Sequence, residues 1–264
     1  MDQIEVGALR VSYRRVGQGP PIILLHGFVG DSREWRPEIE ALSGEFTVVA
    51  WDAPGAGQSA DPPETFGLAD YADSLAAFVD ALGLRRPHVV GLSFGGALAL
   101  ELYRRHPALP RSLVLASAYA GWTGSLPSEI VEQRLRQTLR AADLSPNDLV
   151  DSMLPSMFSD SPPPDAVEGF RRIMLKIHRR GFRTMARALA KADLRDILPE
   201  IAVPTLLLYG DQDVRAPLTV ARDLQARIRT STLVVMPGVG HMSSVEAPER
   251  FATEVRGFLR SVAV

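Results

Sequence analysis

The segment Gly91-Leu92-Ser93-Phe94-Gly95 places a serine between two glycines, each two residues away. Between a strand and a helix, such a serine occupies a tight turn whose neighbours must be small, because the backbone is strained and the helix packs close to the strand. Its hydroxyl is pushed into the open, and the Phe94 amide falls at a helix N-terminus, where unpaired amides and the macrodipole favour developing negative charge. An alcohol is a poor nucleophile at neutral pH, so Ser93 needs a base and a group that orients the base. Of the five histidines, His241 ends the glycine-rich stretch Pro237-Gly238-Val239-Gly240-His241, just past the last apolar run, where the ring can reach over a sheet edge. His88 begins a strand, His106 ends a helix in Arg-Arg-His-Pro, and His178 lies in a helical stretch; surface or structural roles suffice for these three. The carboxylates come from Tyr209-Gly210-Asp211-Gln212-Asp213, an acidic turn after a strand. Either acid could cap the turn or the next helix. Asp213 lies farther beyond the strand and is taken as the orienter, with Asp211 holding the loop.

A serine attack on a carbonyl also needs donors aimed at the oxyanion. Leu24-Leu25-His26-Gly27-Phe28 reads as a strand, a sharp glycine turn and a free amide on Phe28. Together with the Phe94 amide it would make a two-donor hole. His26 then braces the loop by a side-chain hydrogen bond rather than transferring protons.

Positioning these groups requires strands that end near one another. Short apolar runs rich in β-branched residues alternate with stretches of helical period, the signature of a parallel sheet covered on both faces. The pattern predicts strands at 22–25, 47–50, 89–92, 113–116, 205–209 and 233–236, and an antiparallel edge hairpin from 4–6 and 11–15. Helices are expected at 34–42, 70–82, 94–105, 217–228 and 248–259, the last opening with proline in its first turn. The region 121–191 shows no convincing strand, several helical stretches and the cluster Pro162-Pro163-Pro164. It reads as a helical cap inserted after the sixth strand, the core domain being 1–120 together with 192–264.

Bulk properties narrow the function class. A chain of 264 residues, 46% hydrophobic and 23% charged, can bury one sizeable core. A formal net charge of −2, with no whole-chain basic excess, gives no reason to expect nucleic acid or an anionic membrane surface. The absence of cysteine removes disulfides, thiolate metal sites and a cysteine nucleophile together. No basic segment followed by an apolar run opens the chain, and no apolar stretch approaches 18 residues, so a cytoplasmic protein with a small-molecule partner is expected. Neither a metal nor an organic cofactor is expected. The oligomeric state is not legible.

Taken together, these motifs resemble the α/β-hydrolase superfamily over nearly the whole chain. The resemblance rests on His26-Gly27-Phe28, Asp52-Ala53-Pro54-Gly55-Ala56-Gly57-Gln58-Ser59, Gly91-Leu92-Ser93-Phe94-Gly95-Gly96, Gly210-Asp211-Gln212-Asp213 and Gly240-His241, in that order. It implies an α/β-hydrolase fold, a mostly parallel eight-stranded sheet with helices on both faces and a helical cap. It also implies Ser93 as nucleophile, Asp213 as acid, His241 as base, and the Phe28 and Phe94 amides as oxyanion hole. Dehalogenases and epoxide hydrolases of the fold carry an aspartate in place of Ser93, and meta-cleavage carbon-carbon hydrolases usually carry tryptophan where this chain has Met242. The pattern is similar to cofactor-free serine esterases and lactonases, including 3-oxoadipate enol-lactonase-like and acyl-homoserine lactonase-like members, which implies an ester or lactone as substrate. Carbon-carbon hydrolysis, perhydrolysis through the same triad, and ligand capture with little turnover are the alternatives.

Within the insertion, Met153, Met157, Met174 and Met185 fall together with Trp122, Phe158, Phe170 and Phe182. Such flexible and aromatic side chains line an adaptable pocket or fill the cap's own small core. Trp122, Met153, Met157, Phe182 and, beside the histidine, Met242 are the pocket candidates. From 171 to 191 there are eight basic residues and no acidic one, which reads as a solvated face. The sharper expectation is that one of these arginines turns inward to pair with a substrate carboxylate.

Overall fold

The computed structural model describes residues 1–262. Eight strands form one sheet: β1 (Asp2–Val6), β2 (Leu9–Val16), β3 (Pro21–Leu25), β4 (Thr47–Trp51), β5 (His88–Leu92), β6 (Ser112–Ala116), β7 (Thr205–Gly210) and β8 (Ser231–Met236). Their spatial order is β1-β2-β4-β3-β5-β6-β7-β8. The β1/β2 hairpin and the β2/β4 pair are antiparallel, and every pair from β4 across to β8 is parallel. The five strands β4 to β7 are buried along their length apart from the first residue of β3, as continuous apolar runs must be when both faces of a parallel sheet are covered. The expected α/β-hydrolase architecture is present.

The covering helices of the sheet are α1 (Arg36–Leu42), α2 (Leu68–Ala81), α3 (Phe94–Arg105), and, after β7 and β8, α8 (Leu218–Arg227), α9 (Ser243–Glu246) and α10 (Pro248–Ser261). Helix α3 packs on β3, β5 and β6 and against α2, while α1 packs against α10. Two of the boundaries that differ from the pattern have a local cause. The stretch expected as a helix from 34 begins as a 3₁₀ turn, Ser32–Trp35, because the Asp31 carboxylate captures the Arg33 amide at 2.9 Å and Pro37 then opens α1. Strand β8 starts two residues early, at Ser231, because pairing with Thr205 and Leu206 holds the polar Ser231 and Thr232 at a half-exposed sheet edge.

Between β6 and β7 run four helices, α4 (Ser128–Ala141), α5 (Pro146–Met153), α6 (Pro164–Met174) and α7 (Arg179–Lys191). Pro164 stands in the first turn of α6, where its missing N–H costs nothing. Phe182, Met185, Ala186 and Leu189 repeat at helical spacing and form the buried side of α7, which contacts α2, α3 and α4. Gly181 presses its backbone onto the Asp52–Ser59 loop: a Cβ there would stand 1.9 Å from the Gly55 carbonyl oxygen.

Candidate active site

A single residue separates β5 from α3. Ser93 adopts φ 54° and ψ −108°, a conformation that costs a side-chain-bearing residue on the order of 1–3 kcal/mol and must be held by its surroundings. Its amide donates to the Ala116 carbonyl on β6 at 2.9 Å, and its carbonyl accepts the Gly96 and Ala97 amides at 3.0 and 3.1 Å. The flanking glycines follow from space rather than from torsion. A Cβ on Gly95 would meet the Leu25 carbonyl oxygen at 2.1 Å, and one on Gly91 the Gly95 carbonyl oxygen at 2.2 Å. Ser93 is consequently pinned at the C-terminal edge of the sheet, 4% exposed.

The ends of β7 and β8 bring Asp213 and His241 together. The Asp213 carboxylate receives the His241 Nδ1 at 2.9 and 3.0 Å and the amides of Arg215 and Ala216 at 2.9 and 2.8 Å. Burial opposes its ionisation, but the facing imidazole, its hydrogen bond, the Ala216 amide and the nearby Ser117 hydroxyl outweigh that and hold the pKa below the usual carboxylate value. An anionic Asp213 requires the proton of His241 to sit on Nδ1, which leaves Nε2 as the acceptor. Ser117, at φ 47° just past β6, stands beside the carboxylate without forming a well-directed hydrogen bond to it. Asp211 accepts the Gly238 amide at 2.7 Å and so ties the acid turn to the histidine loop. That loop is clamped from the helical segment as well: Glu246 accepts the amides of Gly240 and Ser159, and the Met242 amide donates to the Met157 carbonyl at 2.9 Å. The Ser93 to His241 hydrogen bond is not among those formed by the described residues; such bonds are often loose before substrate arrives.

At the end of β3, His26 braces the loop from both ring nitrogens. Nε2 accepts the Ala53 amide at 2.9 Å, so the proton resides on Nδ1, which donates to the Gly27 carbonyl at 2.7 Å. The Gly30 amide closes the turn onto the Gly27 carbonyl at 3.0 Å, and the Gly27 amide donates to Glu34 Oε1 at 3.3 Å. A Cβ on Gly27 would stand 3.8 Å from the Ser93 Cβ, which measures how close this loop passes to the serine. Phe94 is the first residue of α3, so its amide has no intrahelical acceptor.

The pocket candidates are all buried, at 6% exposure or less. Trp122 meets Phe28 edge-on at 6.1 Å and Phe182 stacks on Phe28 at 5.3 Å, so the aromatic side chain of the β3 loop is held between them. Met157 and Met242 touch through their backbones, and Met153 lines a cavity under α4. The other histidines are occupied elsewhere: His88 with Ser112, its pKa lowered to about 4 by burial and by Arg111, His106 with Asp73, and His178 with Asp61.

Several residues near the site carry no sequence signal. The basic run does not turn inward where its partners are defined: Arg171 pairs with Asp151, Arg172 with Glu168 and Arg183 with Asp143, and Arg179 donates to the Leu144 carbonyl. The guanidinium that reaches the aromatic wall is that of Arg134 on α4. It lies 5.8 Å from the Tyr119 ring centre and 5.4 Å from that of Trp122, with Nη1 donating to the Tyr119 hydroxyl at 3.1 Å. The Tyr119 ring in turn stands 6.5 Å from the His241 ring. Burial pushes the Tyr119 hydroxyl up to about 12, against the pull of Arg134. Glu34 is the other unforeseen group, a buried carboxylic acid beneath the β3 loop.

A strained serine at a strand-to-helix turn, with an aspartate two strands away and a histidine bonded to it three strands away, is the order and placement of the α/β-hydrolase fold, whose family model matches residues 20–248. The chain belongs to the α/β-hydrolase family. It is 30% identical over 252 residues to 3-oxoadipate enol-lactonase 1 of Acinetobacter baylyi, covering 92% of this chain and 90% of that protein. Its structure is similar to that of a thermophilic esterase from Thermogutta terrifontis, with a TM-score of 0.91, 29% identity and coverage of 100% and 99% of the two chains. The enol-lactonase from Burkholderia xenovorans LB400 is similar at a TM-score of 0.90 and 25% identity, covering 98% of this chain and 100% of that one. With these relatives, the protein is a hydrolase of the α/β fold. Among the described residues no helix is long and apolar enough to cross a membrane, and no group of three or more His, Asp or Glu is placed to hold a metal ion.

Proposed function

We propose that this hydrolase cleaves a carboxylic ester or lactone through a Ser93 acyl-enzyme. The observation that carries the proposal is the Asp213 to His241 pair at 2.9 Å, which presents an unprotonated Nε2 on the same sheet edge as Ser93. The esterase and enol-lactonase names of the relatives agree with it.

Nε2 of His241 takes the Ser93 proton as Oγ attacks the carbonyl carbon. The oxyanion is held by the Phe28 and Phe94 amides, and the collapsing intermediate expels the alkoxide, which receives the proton from His241. Water, deprotonated by the same imidazole, then attacks the acyl-enzyme and releases the acid with Ser93 regenerated. In a lactone the alkoxide and the acid belong to one molecule, so the product is a single hydroxy or keto acid. The helices of 121–191 act as a cap over this centre, with Trp122, Met153, Met157, Phe182 and Met242 bounding the substrate.

Hydrolysis of p-nitrophenyl esters and acyl-homoserine lactones of graded chain length, with Ser93→Ala as control, tests the reading. Serine-dependent turnover that falls by about 10⁶ in the variant is expected, the scale seen when related triads lose their nucleophile. Turnover retained in Ser93→Ala overturns the assignment. Turnover only with a vinylogous diketone, or with acetate and peroxide, favours the carbon-carbon hydrolase or perhydrolase chemistry, and tight ligand retention without turnover a receptor.

A further inference from the structure

The imidazole of His241 is held by Asp213, whereas its main chain rests on the helical segment between β6 and β7. On one flank the Gly240 backbone lies against the peptide joining Phe158 to Ser159: a Cβ on Gly240 would stand 2.4 Å from the Phe158 carbonyl carbon and 2.5 Å from the Ser159 nitrogen. On the other flank the Met242 amide donates to the Met157 carbonyl at 2.9 Å. Glu246, on α9, joins the two sides. Its Oε2 accepts the Gly240 amide at 3.0 Å and the Ser159 amide at 3.2 Å, and its Oε1 accepts from the Ser159 hydroxyl. The acid turn is tied to the same stretch. The Asp160 amide donates to Gln212 Oε1 at 3.0 Å, and Arg215 Nη1 donates to the Ser156 hydroxyl at 2.8 Å.

Each residue of 156–160 therefore touches one of the two turns that supply the base and its orienter. Pro155 precedes the stretch and Pro162-Pro163-Pro164 follow it, which restricts the backbone at both ends. Phe158 meets Phe170 of α6 edge-on at 6.0 Å, and α6 packs on α9, so the stretch and the helix carrying Glu246 share one support. Glu246 is the costly member of the arrangement. It is 7% exposed and forms no ion pair among the described residues, and its partners are donors from the histidine loop and from the helical segment. A buried carboxylate without a counter-ion is unfavourable unless its hydrogen bonds are complete. Closing the histidine loop alone needs only one acceptor within that loop, whereas two carboxylate oxygens can hold two segments to each other.

We propose that Glu246 and the stretch 156–160 are positioning elements for His241, fixing its imidazole relative to Ser93 only while the cap is seated on the core, so that seating of the cap and readiness of the base are one event. With the cap displaced, His241 keeps its bond to Asp213 but loses the main-chain anchors on both flanks. A shift of about 1 Å in a catalytic group is enough to slow a reaction by about a hundredfold, so anchors on the residues before and after the histidine act directly on the rate.

The inference rests on the Ser93 hydrolase reading, and its test separates the two. Glu246→Ala, Glu246→Gln, Ser159→Ala and the Ser159→Ala, Glu246→Ala double variant are compared with the wild type on p-nitrophenyl butyrate, at a temperature where circular dichroism shows each to be folded. Glu246→Ala should lower kcat by about tenfold to a hundredfold and change KM by less than about threefold. Glutamine keeps one accepting oxygen for the Gly240 and Ser159 amides and can turn its Nε2 to the Ser159 hydroxyl, so Glu246→Gln should stay within about fivefold of the wild type. Ser159→Ala should cost about threefold alone and nothing further in the Glu246→Ala background, because the two act through one contact. Unchanged kcat in Glu246→Ala, or equal losses with alanine and glutamine, overturns the positioning role. A Ser159→Ala effect that is the same in both backgrounds, or absent from both, overturns the coupling to the cap. If no ester is turned over at all, the ester and lactone reading fails, and the rate at which a fluorophosphonate labels Ser93, followed by mass spectrometry, judges the inference alone. Slower labelling in Glu246→Ala than in the wild type upholds it, and equal or absent labelling overturns it.

Discussion

Glu34 Oε1 accepts the amide of Gly27 at 3.3 Å, so a buried carboxyl group holds the loop after β3 that passes close to Ser93. Its second oxygen stands so close to Gly30 that a Cβ there would meet it at 1.7 Å. Glutamine keeps both the shape and the accepting oxygen, so Glu34→Gln should retain kcat within about fivefold. Glu34→Ala leaves the Gly27 amide unpaired in the interior and should lower kcat by about tenfold or more. Steady-state rates of the two variants on one ester make the comparison, and equal losses in both would remove the loop-holding role.

The same carboxyl makes stability pH-dependent. Burial first, then the negative charges of Asp31 and Glu38, raise the pKa of Glu34 well above 4.5, against the Gly27 amide; burial likewise raises that of Glu38. The unfolded chain releases these protons near 4.5 while the folded chain keeps them, so unfolding is increasingly favoured as pH rises. Stability from the pair is present in full below 4.5 and is lost progressively up to the raised folded values, by at most about 1.4 kcal/mol per pH unit for each group. Urea unfolding at a series of pH values should show this decline, and Glu34→Gln should make it shallower.

Asp213 has the opposite sign. Its folded pKa lies below 3.8, because His241 and the amide and hydroxyl donors outweigh burial, so its contribution is present in full above 3.8 and is lost progressively as pH falls from 3.8 through the folded value. Asp213→Asn removes the acceptor that fixes the His241 proton on Nδ1. A fall in kcat of about 10⁴ is expected at neutral pH, with near-normal thermal stability. A loss below tenfold would mean that another carboxylate orients the imidazole.

Gly95→Ala tests the elbow by steric means. The added methyl meets the Leu25 carbonyl oxygen at 2.1 Å, which no side-chain rotation can relieve because the obstacle is backbone. Separation of α3 from β3 should cost about 1–3 kcal/mol of unfolding free energy and displace Ser93. Denaturant midpoint and ester turnover should fall together.

Trp122→Ala probes the aromatic wall. Removing a side chain that is 1% exposed should cost about 3–5 kcal/mol in stability and free the ring of Phe28 on one side. A shift of ester preference toward bulkier acyl groups is expected if Trp122 bounds the substrate; an unaltered chain-length profile would place it in the interior of the helical segment only.

What the sequence determined by itself is local. The sheet is legible because each buried strand is a continuous apolar run, and Ser93, Asp213 and His241 are legible because each stands in a glycine or acidic turn within a few residues of a strand end. Once parallel strands are placed side by side, their C-terminal turns converge without further information. Only the tertiary structure decided what surrounds those turns. Glu34, Tyr119, Arg134 and Arg215 lie on four separate segments, and none stands in a motif that marks its partner. Arg134 shares the helix face of the buried Val131, Thr138 and Ala141, but a lone arginine on that face does not say which rings it meets. It turns inward because α4 lies against the loop after β6, where Tyr119 and Trp122 offer their rings. In the basic run 171–191, Asp143, Asp151 and Glu168, all outside the run, pair with Arg183, Arg171 and Arg172, which a count of charge within the run does not show. Charge in a sequence is counted along the chain, whereas the field at a site depends on which charges lack a partner in space.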